Sequence, residues 1–264
     1  MPPDHTALIT GSASGIGYEM AKILARKGYN LYLVDIQKEG LEKVSAEISA
    51  IFPVTVFTYC IDLSLPEAAT LVYEDCGNKK LDVEIVISNA GFFFFGEVAQ
   101  ADPDRAARLI RLHVHTPSML AIYFSKEMKQ KKRGYIMMTS SVSAYKDFPG
   151  IAFYAASKSY IKSFNQSLRH EMRYYGVHVT TLCPGATATN LYDPNVINVE
   201  KGKQWGIMMD AGKVASAGIN GLFKNKAVVI PGFMTKVMTI ISVLLPHGVI
   251  YWARVRWKHL FYKP

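Results

Sequence analysis

Cysteine is scarce. Cys60, Cys76 and Cys183 are odd in number and lack any CxxC spacing, which excludes a disulfide framework and argues against a cysteine-rich metal site. They read as reduced thiols in a cytoplasmic compartment. Long apolar runs are missing too. The stretch 237–245 is almost wholly apolar but ends at Pro246, far short of the roughly 20 residues a membrane-spanning helix needs. The first ten residues hold no basic segment followed by an apolar one, so no secretion signal is expected. No internal repeat, low-complexity tract or Pro/Gly/Ser linker divides the chain, and a single domain is expected. Acidic residues are also short, 21 against 30 Lys and Arg, for a net charge of +9. Such an excess suits an anionic ligand or surface, but no nucleic-acid motif accompanies it, and no nucleic-acid partner is expected.

What is present is a globular composition: 50% of the 264 residues are hydrophobic and 19% charged. Apolar runs at 7–10, 31–35, 54–61, 83–88, 135–139, 177–183 and 228–230 alternate with helix-like segments. Runs apolar on both faces and separated by helices predict an α/β fold, a doubly wound, Rossmann-type, seven-stranded parallel sheet covered by helices on both sides. The stretch 187–212 lacks periodicity and follows a strand, so a substrate lid is expected there; the main domain is expected to fill 1–236. The remainder, 237–264, reads as an apolar and basic extension. Arg254, Arg256, Lys258 and Lys263 interleave there with Trp252, Trp257, Phe261 and Tyr262, a pattern open to a solvated face, to an oligomer contact or to peripheral contact with a membrane.

After the first predicted strand comes Thr10-Gly11-Ser12-Ala13-Ser14-Gly15-Ile16-Gly17, then Met20, Ile23 and Leu24 at helical spacing. Strand, glycine turn and helix in that order make a cradle for a pyrophosphate, which must approach backbone N–H groups at a helix N-terminus. The second strand ends at Asp35. A carboxylate there accepts bonds from ribose hydroxyls and repels a 2′-phosphate, which favours NAD over NADP; the same residue would also cap a helix beginning near Gln37.

Tyr154 and Lys158 stand at i and i+4 on a helical segment and so share a face. A phenol, with a reference pKa near 10, becomes a serviceable acid/base beside a cation. Upstream, at the end of the fifth strand, Ser141 can orient a carbonyl oxygen. Ser140 is its neighbour, and spacing alone does not choose between them.

These features resemble the short-chain dehydrogenase/reductase family. The matching residues are Thr10-Gly11, Gly15-Ile16-Gly17, Asp62-Leu63, Asn89-Ala90-Gly91, Ser141, Tyr154, Lys158 and Pro184-Gly185-Ala186-Thr187-Ala188-Thr189. The resemblance implies an NAD(H)-dependent oxidoreductase that interconverts an alcohol and a carbonyl, in homodimers or homotetramers. It implies Gly11, Ser14, Gly15, Ile16 and Gly17 at the pyrophosphate and Asp62 with Leu63 at the adenine. Asn89, Ala90 and Gly91 would lie beside the cofactor, and Lys158 would hold the nicotinamide ribose. Pro184, Gly185, Thr187 and Thr189 would surround the nicotinamide.

One departure stands out. Where the family carries an asparagine that helps hold a relay water, this chain has His113. The imidazole would relay a proton itself, or leave the relay altered, or simply fill a helix position; Pro117 would make the backbone there irregular. An altered relay sustains a rival reading, a non-catalytic NAD(H)-binding protein. Phe92 to Phe95, with Tyr145, Phe148, Phe153 and Tyr192, point to an apolar pocket and a lipophilic alcohol or ketone of steroid, retinoid or fatty-acyl type. Four successive rings cannot all face inward, so some are expected in the core.

Overall fold

The apolar runs form strands because helices cover both faces of the sheet, so no polar alternation is needed. The structure is a computed structural model that describes residues 5–189 and 208–256, without the side chains of 253 and 254. Strands β1 (His5–Thr10), β2 (Asn30–Asp35), β3 (Val56–Cys60), β4 (Asp82–Ser88), β5 (Gly134–Thr139) and β6 (Val177–Leu182) are followed by β7 (Thr187–Ala188), β8 (Met209–Asp210) and β9 (Val228–Val229). The main sheet is parallel, in the order β3-β2-β1-β4-β5-β6-β9, and β7 pairs with β8 apart from it. All seven expected strands are there. The third is shorter than the expected 54–61, because the Val54 N–H turns back to the Phe52 carbonyl at 2.8 Å instead of joining the ladder.

Helices α1 (Gly15–Arg26), α2 (Lys38–Ile51) and α7 (Ala211–Phe223) pack on one face; α3 (Ala68–Asn78), α5 (Thr116–Lys131) and α6 (Ala152–Arg173) pack on the other. Ala7, Leu8 and Ile9 show how complete the cover is: three consecutive residues are fully buried, and Leu8 feeds the second core while its neighbours feed the first. Each such Leu or Ile contributes about 1.5–3 kcal/mol. Strand order reverses between β1 and β4, and the crevice beyond their carboxyl ends is where this architecture receives ligands.

Between α4 (Pro103–Ile110) and α5, residues Arg111–His115 make one π-helical turn. Pro117 explains it. With no N–H, it cannot close the helical bond onto the carbonyl of residue 113, and the expected irregularity falls at that point.

Residues 190–207 and 257–264 lie outside the described residues. They hold most of the expected lid, with Tyr192, and the basic-aromatic end. The lid's two ends are joined by the β7–β8 pair. The C-terminal extension expected from 237 begins inside a helix, α8 (Phe233–Leu244), which α9 (His247–Arg256) follows. Among the described residues no helix is long and apolar enough to cross a membrane, and no cluster of His, Cys, Asp and Glu could hold a metal ion.

Candidate active site

A cleft of about 500 Å³ opens at the carboxyl ends of β1, β4 and β5. At one end, the turn after β1 exposes Gly11, Ser14, Gly15 and Ile16. Gly11 and Gly15 sit at φ +66° and +58°, which an L side chain tolerates poorly. No side chain caps the first turn of α1, and none of its first-turn residues is acidic, so its N–H groups are available to an anion. Gly17 lies behind this surface and does not line the cleft: a Cβ there would meet the Gly11 carbonyl oxygen at 2.0 Å, so its role is to let the helix close on the turn.

Asp35 is committed to two backbone N–H groups. One carboxylate oxygen accepts from the Ala13 N–H and the other from the Gln37 N–H, each at 3.0 Å, so it ties the glycine turn to β2 and holds the residue that precedes α2, without capping the helix's first turn. It also lines the cleft, and the only cations that do so among the described residues are Arg108 and Lys158. Lys38 leans toward Glu42 at 4.0 Å instead. Asp62 accepts from the Ser64 N–H at 2.8 Å and pairs with Arg108 at 3.3 Å. Burial raises its carboxyl's pKa, but the Ser64 bonds together with Arg108 and Arg111 outweigh that and hold it below the usual range. Leu63 lines the same wall.

Asn89 ties three strands together. Its Nδ2 donates to the carbonyls of Thr10 (3.3 Å) and Gly11 (3.2 Å), and its Oδ1 accepts from the Thr139 hydroxyl at 3.3 Å. The N–H groups of Asn89 and Ala90 both reach the Thr10 hydroxyl. Gly91 leaves room for His113, whose Nε2 would stand 2.6 Å from any Cβ at that position.

At the other end of the cleft stand Tyr154, Lys158 and Ser141. Lys158 is 6% exposed. Its Nζ donates to the Thr139 carbonyl at 3.1 Å and lies 5.6 Å from the centre of the Tyr154 ring. Burial lowers its pKa to about 8. The two neighbouring serines differ in their partners. Ser140 gives its proton to the Lys158 carbonyl at 2.7 Å, whereas Ser141 accepts from the Ser143 N–H at 3.1 Å and so retains a proton to offer the cleft. Pro184, Gly185, Thr187 and Thr189 close this end; the Pro184 carbonyl accepts from the Val142 N–H, and Thr189 covers Gly15.

His113 is 2% exposed. Its Nε2 accepts the Phe92 N–H at 3.2 Å, so in the neutral ring Nδ1 carries the proton and donates to Ser157 at 3.0 Å. Ser157 in turn donates to the Tyr154 carbonyl at 2.8 Å. Burial and then the Lys158 charge hold the imidazole pKa well below 6.5. Of the three readings of His113, this geometry favours the structural one: both ring nitrogens are already committed, Nε2 to a peptide N–H and Nδ1 to Ser157.

The four phenylalanines divide as expected. Phe92 and Phe93 line the cleft, with Phe93 edge-on to Tyr154 at 5.1 Å; Phe94 is buried against Phe153, and Phe95 is partly exposed over Gly150. Tyr145, Phe148 and Phe153 do not line it, and Tyr192 lies outside the described residues. Arg108 and Thr139 were not singled out from the sequence. Their roles depend on partners distant in the chain, and no local spacing marks them.

The sequence model described as short chain dehydrogenase matches residues 5–198. The chain belongs to this family. It is 30% identical over 187 residues to hydroxysteroid dehydrogenase-like protein 1 of Gallus gallus, covering 70% of this chain and 56% of that protein. It is 28% identical over 191 residues to inactive hydroxysteroid dehydrogenase-like protein 1 of Homo sapiens, covering 72% and 58%. The chain thus spans somewhat over half the length of these relatives. Among solved structures, a short-chain dehydrogenase from Sphingobium yanoikuyae in complex with NADPH superposes with a TM-score of 0.81 at 26% identity, covering 93% of this chain and 94% of that one. Short-chain dehydrogenases are oxidoreductases that use a nicotinamide cofactor.

Proposed function

We propose that this short-chain dehydrogenase interconverts an alcohol and a carbonyl with NAD(H), on a lipophilic substrate of steroid, retinoid or fatty-acyl type. The observation that carries the reading is the convergence of three groups on one cleft: the free-proton hydroxyl of Ser141, the phenol of Tyr154 and the buried ammonium of Lys158. The glycine turn and the uncapped first turn of α1 fit a pyrophosphate, and Asp35 fits ribose hydroxyls. The nicotinamide, when bound, supplies or accepts the hydride.

The chain's own groups then do the rest. Ser141 donates to the carbonyl oxygen and fixes its place; Tyr154 gives that oxygen a proton on reduction and takes it back on oxidation. Lys158 favours the phenolate through its charge and would hold the nicotinamide ribose. His113 acts as a positioning residue, holding Phe92 and, through Ser157, the backbone of Tyr154. Phe92 and Phe93 with Ile151 make the substrate end apolar. The chain is read as working in a homodimer or homotetramer, with peripheral membrane contact through its C-terminal segment.

The human relative's name includes the word inactive, which lends weight to a non-catalytic binding protein. Against this, Ser141, Tyr154 and Lys158 stand together here, and binding alone requires no proton donor. For the cofactor, the NADPH of the Sphingobium structure supports the phosphorylated form, while the carboxylate of Asp35 in the cleft wall, with Arg108 paired to Asp62, supports NAD.

The test is a panel of hydroxysteroids, acyl ketones and simple alcohols followed at the reduced-nicotinamide absorbance band, with NAD and NADP in parallel. Tyr154→Phe is expected to lower turnover by about 10²- to 10⁴-fold and to leave cofactor binding in place. Equal turnover in wild type and Tyr154→Phe would overturn the enzymatic reading, and a clear NADP preference would overturn the role given to Asp35.

A further inference from the structure

Asp210 is the last acidic residue in the sequence. Residues 211–264 hold eight of the 30 Lys and Arg and none of the 21 Asp and Glu, so the other 22 basic residues nearly balance the acids. The net charge of +9 is therefore almost entirely a property of the C-terminal fifth of the chain. Lys224, Lys226, Lys236 and Arg256 are exposed within it.

The helix in the middle of this segment is inside out. A helix on a soluble protein turns its apolar stripe toward the core. In α8 the one buried residue is Thr239, and Thr235 beside it packs on Gly185 in the cleft wall. Phe233, Met234, Met238, Ile240, Ile241 and Leu244 face outward, 47–80% exposed. In α9, Val249, Tyr251 and Val255 are exposed as well. A continuous apolar face of this kind needs a cover.

Length and charge identify it. Twelve residues rise about 18 Å, well short of the roughly 30 Å of a bilayer's hydrocarbon, so α8 can lie in a membrane surface but not cross it. A second copy joined by a two-fold axis would bring this basic segment against its own duplicate, setting like charge against like. An anionic lipid surface offers an apolar layer and the opposite sign together.

We propose that α8 and α9 seat this protein on an anionic lipid bilayer. The outward side chains of α8 enter the boundary between headgroups and acyl chains, and Lys236 and Arg256 lie at the level of the phosphates. This makes the membrane contact named above more specific and stands independently of the redox reading. The seat also adjoins the substrate end, because α8 packs beside Gly185 and the turn Val142–Tyr145, both at the cleft. A lipophilic substrate dissolved in the bilayer would meet the mouth of the cleft directly.

The experiment is co-sedimentation of the full chain with vesicles of phosphatidylcholine alone and of phosphatidylcholine with phosphatidylserine. Sedimentation with the serine-containing vesicles, weakened by added salt, and little with the neutral ones is the expected result. The triple variant Met238→Ser/Ile240→Ser/Leu244→Ser is expected to stay in the supernatant with its thermal unfolding unchanged, since it alters only exposed positions. Lys236→Gln and Arg256→Gln should each weaken vesicle binding about fivefold. Absence of binding to the anionic vesicles, or equal binding to both kinds, would overturn the proposal. So would a triple variant that keeps its vesicle binding but falls from dimer to monomer by sedimentation velocity, which would assign the face to a second copy. None of these readouts requires turnover, so an inactive protein would still decide the question.

Discussion

Lys158 is a cation almost without water around it, and that sets a cost. Its pKa is lowered by burial to about 8 from 10.5, so between those pH values the unfolded chain keeps a proton that the native state has shed. The native state gains stability as pH rises through this window, and below pH 8 it carries a buried charge. Lys158→Met is expected to raise the melting temperature near pH 7 and to lose most of that gain by about pH 10, while abolishing turnover. Calorimetry at the two pH values checks this, and a gain independent of pH would refute the buried-charge account. His113 works in the opposite pH range. Its imidazole resists protonation in the native state, so stability falls as acid protonates the unfolded chain below pH 6.5. His113→Gln should flatten that acid limb in melts followed by circular dichroism. His113→Asn, being shorter, leaves the Phe92 N–H or the Ser157 hydroxyl unmet; it should keep its turnover and cost about 1–3 kcal/mol in urea unfolding.

At the level of elements, the turn between β1 and α1 is held from outside by Asp35, which grips the Ala13 N–H and the Gln37 N–H together. Asp35→Ser removes both the grip and the negative charge beside the ribose position. It is expected to move the ratio of NAD to NADP affinity toward NADP by about 10- to 100-fold, measured by fluorescence titration of the two reduced cofactors. An unaltered ratio would mean that the carboxylate serves the turn alone. Elements of this kind were legible in the sequence because parallel strands buried on both faces leave continuous apolar runs, and because the glycine turn and the Tyr154/Lys158 pair are local patterns. The difference between Ser141 and Ser140 was not legible. It depends on which hydroxyl is already committed to a helix carbonyl, and that is decided by packing between β5 and α6. The fate of His113 was hidden for the same reason: its partners, Phe92 and Ser157, come from two other elements.

Across the whole molecule, identical side chains have opposite tasks. Ile87 in β4 is fully buried in the core beneath α1, α2 and α7, while Ile240 in α8 is 62% exposed. Ile87→Ala is expected to cost about 2–5 kcal/mol in denaturant unfolding, and Ile240→Ala less than about 0.5 kcal/mol. A large cost at Ile240 would show that α8 supports the fold rather than an outside contact. The chain of bonds through Asn89 has a further consequence. The Gly11 carbonyl receives its amide, its own oxygen receives the Thr139 hydroxyl, and the Thr139 carbonyl receives the Lys158 ammonium. The place where phosphates would rest and the place where a proton would move are thus spaced by one short strut of peptide and amide. A disturbance at either end is passed mechanically to the other, so substitutions around the phosphate turn should alter the timing of chemistry as well as the grip on the cofactor.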